Sequence, residues 1–300
     1  MRVAAAVGLA VCSIAAGCGG SSSAQEEPGG TTLKSLADAP GEDVAIVPGS
    51  SDFAPGQVRL SFLVVDGKGR VVTRPTARVW LARGLEAQPF QRTTARSEPI
   101  GVEGSDPAEA DAVFVANLDV EKPGTYWLLA EPVGGKKIQA LGNLVVKQKA
   151  AAPSLGATVP ASDTPTLAST GRDLKQLTTA KKPDLALYRS SVAAALRAHA
   201  KFVVVFATPA YCTSRTCGPV VDVVSTVRKR HAGSGIRFIH VEIYEDNDPA
   251  KGENRWVREW KLPSEPWVFL VGADGRVKGR FEGTVSVREL DDAVRAQLAP

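Results

Sequence analysis

An apolar run, two cysteines and a proline follow one another over residues 202–219, and this order strongly limits the possible fold. Phe202–Phe206 is wholly apolar, as in a strand that is buried on both faces. Cys212 and Cys217 come next, and Pro219 stands where a helix can begin, because the first helical position needs no N–H donor. A dithiol between a buried strand and a helix start favours thiol chemistry, since the positive end of the helix dipole stabilises a thiolate.

The rest of the C-terminal sequence alternates between helical and extended patterns. From Asp184 onward the periodicity predicts the order helix, strand, helix, strand, helix, strand, strand, helix. Asp184 is the expected cap of a first helix that ends near Ala200. Asp274-Gly275 is the expected turn of the final hairpin, and Ser286 with Glu289 forms a capping box before the last helix.

This order, with the dithiol at the first strand–helix junction, resembles the thioredoxin fold over about residues 183–300. The resemblance implies a cis-proline at the start of the strand that faces the active-site disulfide. Ser264-Glu265-Pro266-Trp267 matches that place, so Pro266 is the candidate cis-proline and Glu265 is the residue before it. The four candidate catalytic residues are therefore Cys212, Cys217, Pro266 and Glu265.

The spacing of the two cysteines departs from the usual C-x-x-C motif of that family, because four residues intervene. In a regular helix, residues five apart have Cα atoms about 8.7 Å apart. That separation exceeds the limit of about 7 Å for a disulfide. If the two cysteines bond, Cys212 must lie on the loop before the helix and Cys217 at the mouth of the helix. We expect Cys212 to attack a substrate disulfide and Cys217 to resolve the mixed disulfide.

The N-terminus has the features of an export signal. Met1-Arg2 is a positive start, and the apolar stretch over residues 3–16 is too short to span a membrane. Ala15-Ala16-Gly17-Cys18 resembles the lipobox of bacterial lipoprotein signal peptides, which implies cleavage before Cys18 and lipidation of that cysteine. Cys12 leaves with the signal peptide, so Cys212 and Cys217 are the free thiols that remain. The expected location is extracytoplasmic, with a lipid anchor in the cell membrane.

Between the N-terminal segment and the α/β pattern, short alternating strands predict an all-β region. Pro123-Gly124-Thr125-Tyr126 resembles the entry to a late strand of immunoglobulin-like domains, which implies a β-sandwich. The expected organisation is a signal peptide (1–17), a lipidated Gly/Ser-rich tether (18–42), an immunoglobulin-like β-sandwich (43–148), a linker (149–170) and a thioredoxin-like domain (171–300).

Composition narrows the possible partners. The net charge is only +4 over 300 residues, and no basic run is interleaved with aromatic residues, so nucleic acid is not an expected partner. We expect no cofactor and no metal ion. The acidic residues Glu242, Glu245, Asp246 and Asp248 lack the spacing of a calcium loop and predict a solvated loop. The expected partners are exported proteins that bear thiols or disulfides.

Four functions remain open for the dithiol on sequence grounds. Thiol–disulfide exchange is preferred. A thiol peroxidase is an alternative, because the segment resembles atypical peroxiredoxins with a resolving cysteine five positions on, although Pro209 stands where that family has threonine. Copper handling would need a histidine within reach of the thiolates, and His199, His231 and His240 are the candidates. A non-catalytic binding module with a structural disulfide is the fourth possibility.

Overall fold

A computed structural model of the chain describes residues 30–102, 111–134, 138–211 and 220–299. Residues 31–300 form one compact unit. This unit holds two sheets, a seven-stranded sheet over residues 42–146 and a four-stranded sheet flanked by helices over residues 192–297. Below, the first is called the all-β part and the second the α/β part. The predicted succession of a β region and an α/β region is confirmed at this level.

The all-β part contains strands β1 to β7, which are joined into one closed sheet in the order β1-β2-β5-β4-β3-β6-β7. Neighbouring strands are antiparallel except for β1 and β7, which run parallel and close the sheet. A sandwich would have two separate sheets. Here the β3–β4 pairing and the β1–β7 pairing join the strands into one sheet, so the structure differs from the predicted sandwich in this respect. The strands are Glu42–Pro48, Gly56–Asp66, Thr76–Ala82, Gln91–Pro99, Ala112–Val120, Gly124–Pro132 and Ile138–Val146.

The inside of this sheet is filled by alternate side chains of the strands. Phe62 and Phe114 stack there with ring centroids 5.4 Å apart. Tyr126 is buried, and its hydroxyl donates a hydrogen bond to the Lys122 carbonyl at 2.6 Å. That bond ties strand β6 to the turn before it, as in the tyrosine corner of immunoglobulin-like sandwiches.

Two features of this region were not predicted. Residues 33–37, within the predicted tether, form a short helix, α1 (Leu33–Ala37), whose Leu33 packs on Ala82 and Leu129. The helix has one fully buried residue and is too short to produce a periodic pattern. Strand β4 carries no alternating apolar pattern in the sequence, because it is mostly polar, with only Ala95 and Glu98 buried.

The α/β part has the predicted element order. Strands β8 (Phe202–Phe206) and β9 (Arg237–Val241) are parallel, as the helix between them requires, and β10 (Trp267–Val271) pairs antiparallel with β8 and β11 (Val277–Glu282). The sheet order is therefore β11-β10-β8-β9. The helices are α2 (Val192–Arg197), α3 (Val220–Arg230), α4 (Arg255–Trp260) and α5 (Val287–Gln297).

The helices cover both faces of this sheet, which explains why β8 and β10 are buried at every position. Helices α3 and α5 pack on the face that contains Val203 and Val205. Helices α2 and α4 pack on the opposite face, around Phe206 and Trp260. None of the helices among the described residues has the length and apolar content that crossing a bilayer requires.

The segment before β8 differs from the prediction of one helix after Asp184. Asp184 caps a single 3₁₀ turn, Leu185–Tyr188, and Ser191 then caps α2 separately. The two polar residues Ser190 and Ser191 interrupt the helix because the Ser191 side chain accepts the Ala194 N–H bond of a new N-terminus. Further upstream, the extended segment around Val159 lies against the hairpin, and its amide donates to the Gly275 carbonyl at 3.1 Å.

Candidate active site around Glu265

The start of strand β10 lies beside the end of strand β8. Trp267 pairs with Phe206 in the sheet register, and the Glu265–Pro266 peptide bond immediately before Trp267 is cis. Pro266 is buried and Glu265 is partly buried. Pro266 therefore stands next to the point where the chain leaves β8 and continues toward the cysteines in sequence. Cys212 and Cys217 lie outside the described residues, as does Cys18.

The Glu265 carboxyl group has an unusual protonation equilibrium. Burial raises its pKa to about 7, and the nearby charges of Glu242 and Glu253 act in the same direction. The Tyr244 hydroxyl opposes this rise by donating to Glu265 Oε1 at 3.4 Å. Burial also raises the pKa of Tyr244, which keeps its proton on the hydroxyl. A carboxyl group with a pKa near 7 can both accept and release a proton at neutral pH.

A second acid, Glu242, is buried in the same region with 5% of its surface exposed. Its Oε1 accepts hydrogen bonds from the Thr179 amide at 2.6 Å and the Thr179 hydroxyl at 2.9 Å. The Thr179 hydroxyl oxygen in turn accepts from the Ala210 amide at 3.0 Å. Among the described residues, Glu242 Oε2 has no hydrogen-bond partner. This carboxylate is thereby connected to the chain two residues before Cys212.

Sequence reasoning placed Glu242 in a solvated acidic loop, and that interpretation is wrong for this residue. The signal was present in the alternation of Ile239, Val241 and Ile243, which are all buried. In an extended chain, alternate residues share a face. His240 and Glu242 therefore share the other face of the strand and its continuation, and both are buried as well.

His240 fixes the beginning of the loop that leads toward the cysteines. Its Nε2 lies 2.9 Å from the Ala207 carbonyl oxygen, and its Nδ1 lies 2.6 Å from the Tyr188 hydroxyl. Burial lowers the pKa of His240, so the ring is neutral and carries one proton. A carbonyl can only accept, so that proton is on Nε2, and Nδ1 accepts from Tyr188. Both ring nitrogens are thus engaged.

The loop over residues 207–211 is held at several points. The Ala207 amide donates to the Val241 carbonyl at 3.1 Å, in addition to the contacts of Ala207 with His240 and of Ala210 with Thr179. The Tyr211 ring lies edge-on to Tyr244, with centroids 6.4 Å apart, and is 41% exposed. These contacts place the Tyr211 ring beside Tyr244, whose hydroxyl donates to Glu265. The site thus combines a titratable acid with a loop that is held by hydrogen bonds and carries a half-exposed aromatic ring.

No protein-family model matches the chain, and no curated protein matches it. Among solved structures, a thiol:disulfide interchange protein of the thioredoxin family from Chlorobium tepidum TLS is similar over 35% of this chain and 84% of its own, with 19% identity and a TM-score of 0.29. The Lin-41 filamin domain is similar over 36% of this chain and 95% of its own, with 14% identity and a TM-score of 0.21.

A third structure, MtrC from Shewanella baltica OS185, is similar over 39% of this chain and 24% of its own, with 14% identity and a TM-score of 0.23.

Proposed function

We propose that the chain is an exported, lipid-anchored thiol–disulfide oxidoreductase that exchanges disulfides with other exported proteins. The observation that carries this proposal is the pairing of Trp267 with Phe206. It brings Glu265 and Pro266 to the end of the strand from which the sequence proceeds to Cys212. Strand β8, the dithiol sequence and helix α3 then follow in the order that the thioredoxin resemblance implies.

The proposed reaction is a pair of thiol–disulfide exchanges. The Cys212 thiolate attacks a substrate disulfide, forms a mixed disulfide and releases the first substrate thiolate, which takes up a proton. The Cys217 thiolate then attacks the Cys212 sulfur, and the second substrate thiolate leaves and is protonated. The substrate is reduced by two electrons, and Cys212 and Cys217 become a disulfide. The reverse sequence oxidises a substrate dithiol.

Glu265 is the proposed proton acceptor for the second exchange. The Cys217 thiol must lose its proton before it attacks, and a carboxyl group with a pKa of about 7 is half ionised at neutral pH. The ionised form also disfavours a thiolate nearby, because like charges repel. The ionised Glu265 carboxylate would therefore have two opposed effects. As a base it accepts the proton of the Cys217 thiol, and as a negative charge it disfavours the thiolate that results. Both effects depend on pH, because both require the ionised form.

The finer fold assignments belong to the same proposal. The order β2-β5-β4 beside β3-β6-β7, with β1 running parallel to β7, supports an immunoglobulin-like all-β part. The parallel β8–β9 pair beside the antiparallel β10–β11 hairpin supports a thioredoxin-like α/β part.

Copper handling, the alternative function that needs a histidine ligand, is disfavoured for two of the three histidines. Both ring nitrogens of His240 are engaged in hydrogen bonds, and His231 Nε2 lies 2.7 Å from Asp291 Oδ1.

Turnover of a disulfide substrate by cysteine variants tests the proposal. Residues 18–300 with Cys18→Ser, which lack the signal peptide and cannot be lipidated, should accelerate the reduction of a scrambled-disulfide protein by dithiothreitol. Cys212→Ser should abolish turnover, and Cys217→Ser should accumulate a mixed disulfide that is visible on a non-reducing gel. Rapid reaction of Cys212 with hydrogen peroxide and no disulfide turnover would instead support the peroxidase. Release of Cys18→Ser from the membrane fraction tests the anchor.

A further inference from the structure

The segment Ser264–Trp267, which carries the candidate site residues Glu265 and Pro266, is bonded to strand β11. The Ser264 hydroxyl donates to Glu282 Oε1 at 2.7 Å, and the Trp267 indole N–H donates to the Ser264 hydroxyl at 3.2 Å. The Gly283 amide donates to the Pro266 carbonyl at 2.9 Å. The position of the segment therefore depends on where Glu282 and Gly283 lie.

Glu282 is in turn bound by the all-β part, through the loop over residues 49–52. The Ser51 amide and the Asp52 amide donate to Glu282 Oε2 at 2.9 and 2.7 Å, and the Ser51 hydroxyl donates to Oε1 at 2.8 Å. Only 8% of Glu282 is exposed. One buried carboxylate thus joins a loop of the all-β part to the residue immediately before Glu265.

The turn after Glu282 touches the same loop. A Cβ atom on Gly283, whose φ is +73°, would lie 1.8 Å from the Gly49 carbonyl oxygen. Glycine is therefore required at this position both for the left-handed conformation and for the close approach of the two backbones. This contact fixes the distance between the 49–52 loop and the turn that hydrogen-bonds Pro266.

An ion pair acts on the other end of the segment. The Arg280 guanidinium lies over the Trp267 ring, 4.7 Å from its centroid, and donates to the buried Asp52 carboxylate at 3.0 Å. Asp52 also accepts the Ala151 and Ala152 amides at 2.9 and 3.0 Å. The 49–52 loop is therefore connected to Ser264 through Glu282 and to Trp267 through Arg280.

We infer that the all-β part is a structural component of the candidate site, in which the 49–52 loop positions Glu265 and Pro266 through Glu282. This inference goes beyond the proposed function, which assigns no role to the all-β part. Glu282 is a positioning residue, because its contact with the candidate site runs through Ser264, the residue next to Glu265. The interpretation of Glu265 as a proton acceptor rests on the proposed function, whereas the positioning of its carboxyl group does not.

Titration of the Glu265 carboxyl group in the full chain tests this inference, and the measurement does not depend on enzymatic activity. Carboxyl ¹³C NMR, with the Glu265 resonance assigned by its loss in Glu265→Gln, should give a pKa of about 7 in the wild type. Glu282→Ala leaves the Ser51 and Asp52 amides unpaired and frees Ser264, so water should reach Glu265. Its pKa should then fall by about one unit or more toward its usual value.

Glu98→Ala is the matched control. Glu98 is also a buried carboxylate at the junction of the two parts, but it binds Arg288 of helix α5 and accepts from Arg288 Nε at 3.1 Å. Glu98→Ala should destabilise the chain as Glu282→Ala does, but it should leave the Glu265 titration unchanged. Equal changes in both variants, or no change in either, would overturn the inference.

Two further variants keep the test decisive if Glu282→Ala does not fold. Ser264→Ala cuts the link at its other end and should shift the Glu265 titration in the same direction, so an unchanged titration in the folded variant would refute the inference. Glu282→Gln should restore the wild-type value, because its amide oxygen can accept from the two backbone N–H groups while its NH₂ donates to the hydroxyls.

Activity provides a separate readout. Glu282→Ala should lower kcat/KM for disulfide exchange by about tenfold, since small displacements of a site residue have effects of this order or larger. Glu98→Ala should leave it unchanged. If the wild type shows no exchange, the proposed function fails, and the titration still decides whether Glu282 positions Glu265.

Discussion

Replacement of Glu265 by glutamine should change how the stability of the protein depends on pH. The folded state raises the pKa of this carboxyl group from its ordinary 4.5 to about 7. Between these values the folded chain holds a proton that the unfolded chain has released. The contribution of Glu265 to the free energy of unfolding of the wild type must therefore fall as pH rises from 4.5 to 7. Glutamine cannot ionise, so the variant lacks this loss.

The size of the effect follows from the pKa. At about 1.36 kcal/mol per pKa unit, the rise from 4.5 to about 7 sets an upper limit of about 3.4 kcal/mol. Glu265 is only partly buried, and solvent screening reduces the expected figure to about 2 kcal/mol. Relative to the wild type, Glu265→Gln should gain about this much stability between pH 4.5 and pH 8.

Urea unfolding followed by tryptophan fluorescence at a series of pH values measures this difference, with both proteins in the same redox state. Tyr244→Phe is the matched control, because it removes the hydrogen bond that favours the ionised carboxylate. Tyr244→Phe should raise the pKa of Glu265 further, so the loss of stability with pH should continue to higher pH and be larger in total, the opposite of Glu265→Gln. Parallel curves for wild type and Glu265→Gln would refute the interpretation of Glu265 as a carboxyl group with a strongly raised pKa.

Two other results are expected. The rate of Cys212 alkylation by iodoacetamide should reveal a lower thiol pKa in Glu265→Gln than in the wild type, because the ionised carboxylate disfavours the thiolate above pH 7; superimposable rate profiles would remove the electrostatic role. Asp291→Asn should cost about 1–2 kcal/mol at pH 7 in urea unfolding, because the buried carboxylate binds His231 and the half-exposed Arg230. Burial alone would raise the pKa of Asp291, but these partners hold it below its usual value. The cost should therefore shrink as pH falls through this lowered pKa, and a cost that is independent of pH would contradict the assignment.

The parts of the fold that were predictable from sequence are those with strong local patterns. Phe202–Phe206 is apolar throughout, and Ser286 caps α5 by accepting the Glu289 amide at 3.0 Å, as the capping box predicts. The Glu289 side chain does not complete that box, because it binds Arg59 of the all-β part, with Arg59 Nη2 at 2.7 Å from Oε2. The partner of the Glu289 side chain is thus a residue 230 positions away, which no local sequence pattern can predict.

The candidate site was predictable only in part for the same reason. The Glu265–Pro266 pair was identified from its place in the order of elements, and its cis peptide bond is confirmed. The roles of Glu282 and the 49–52 loop were not predicted, because they arise from contacts between two distant regions of the chain. The raised pKa of Glu265 likewise depends on burial and on Glu242, neither of which the sequence near Pro266 reveals.

Under the proposed function, Cys212 and Cys217 form a redox-active pair. Measurement of the redox equilibrium of these two thiols decides whether they do. Residues 18–300 with Cys18→Ser, which lack Cys12 together with the signal peptide, are equilibrated in a series of dithiothreitol buffers and alkylated, and their mass is measured by mass spectrometry. We expect a single reversible two-electron transition in which the mass changes by two alkyl groups, both of them on Cys212 and Cys217. A chain whose two cysteines are alkylated independently, or not at all under any buffer, would contradict it.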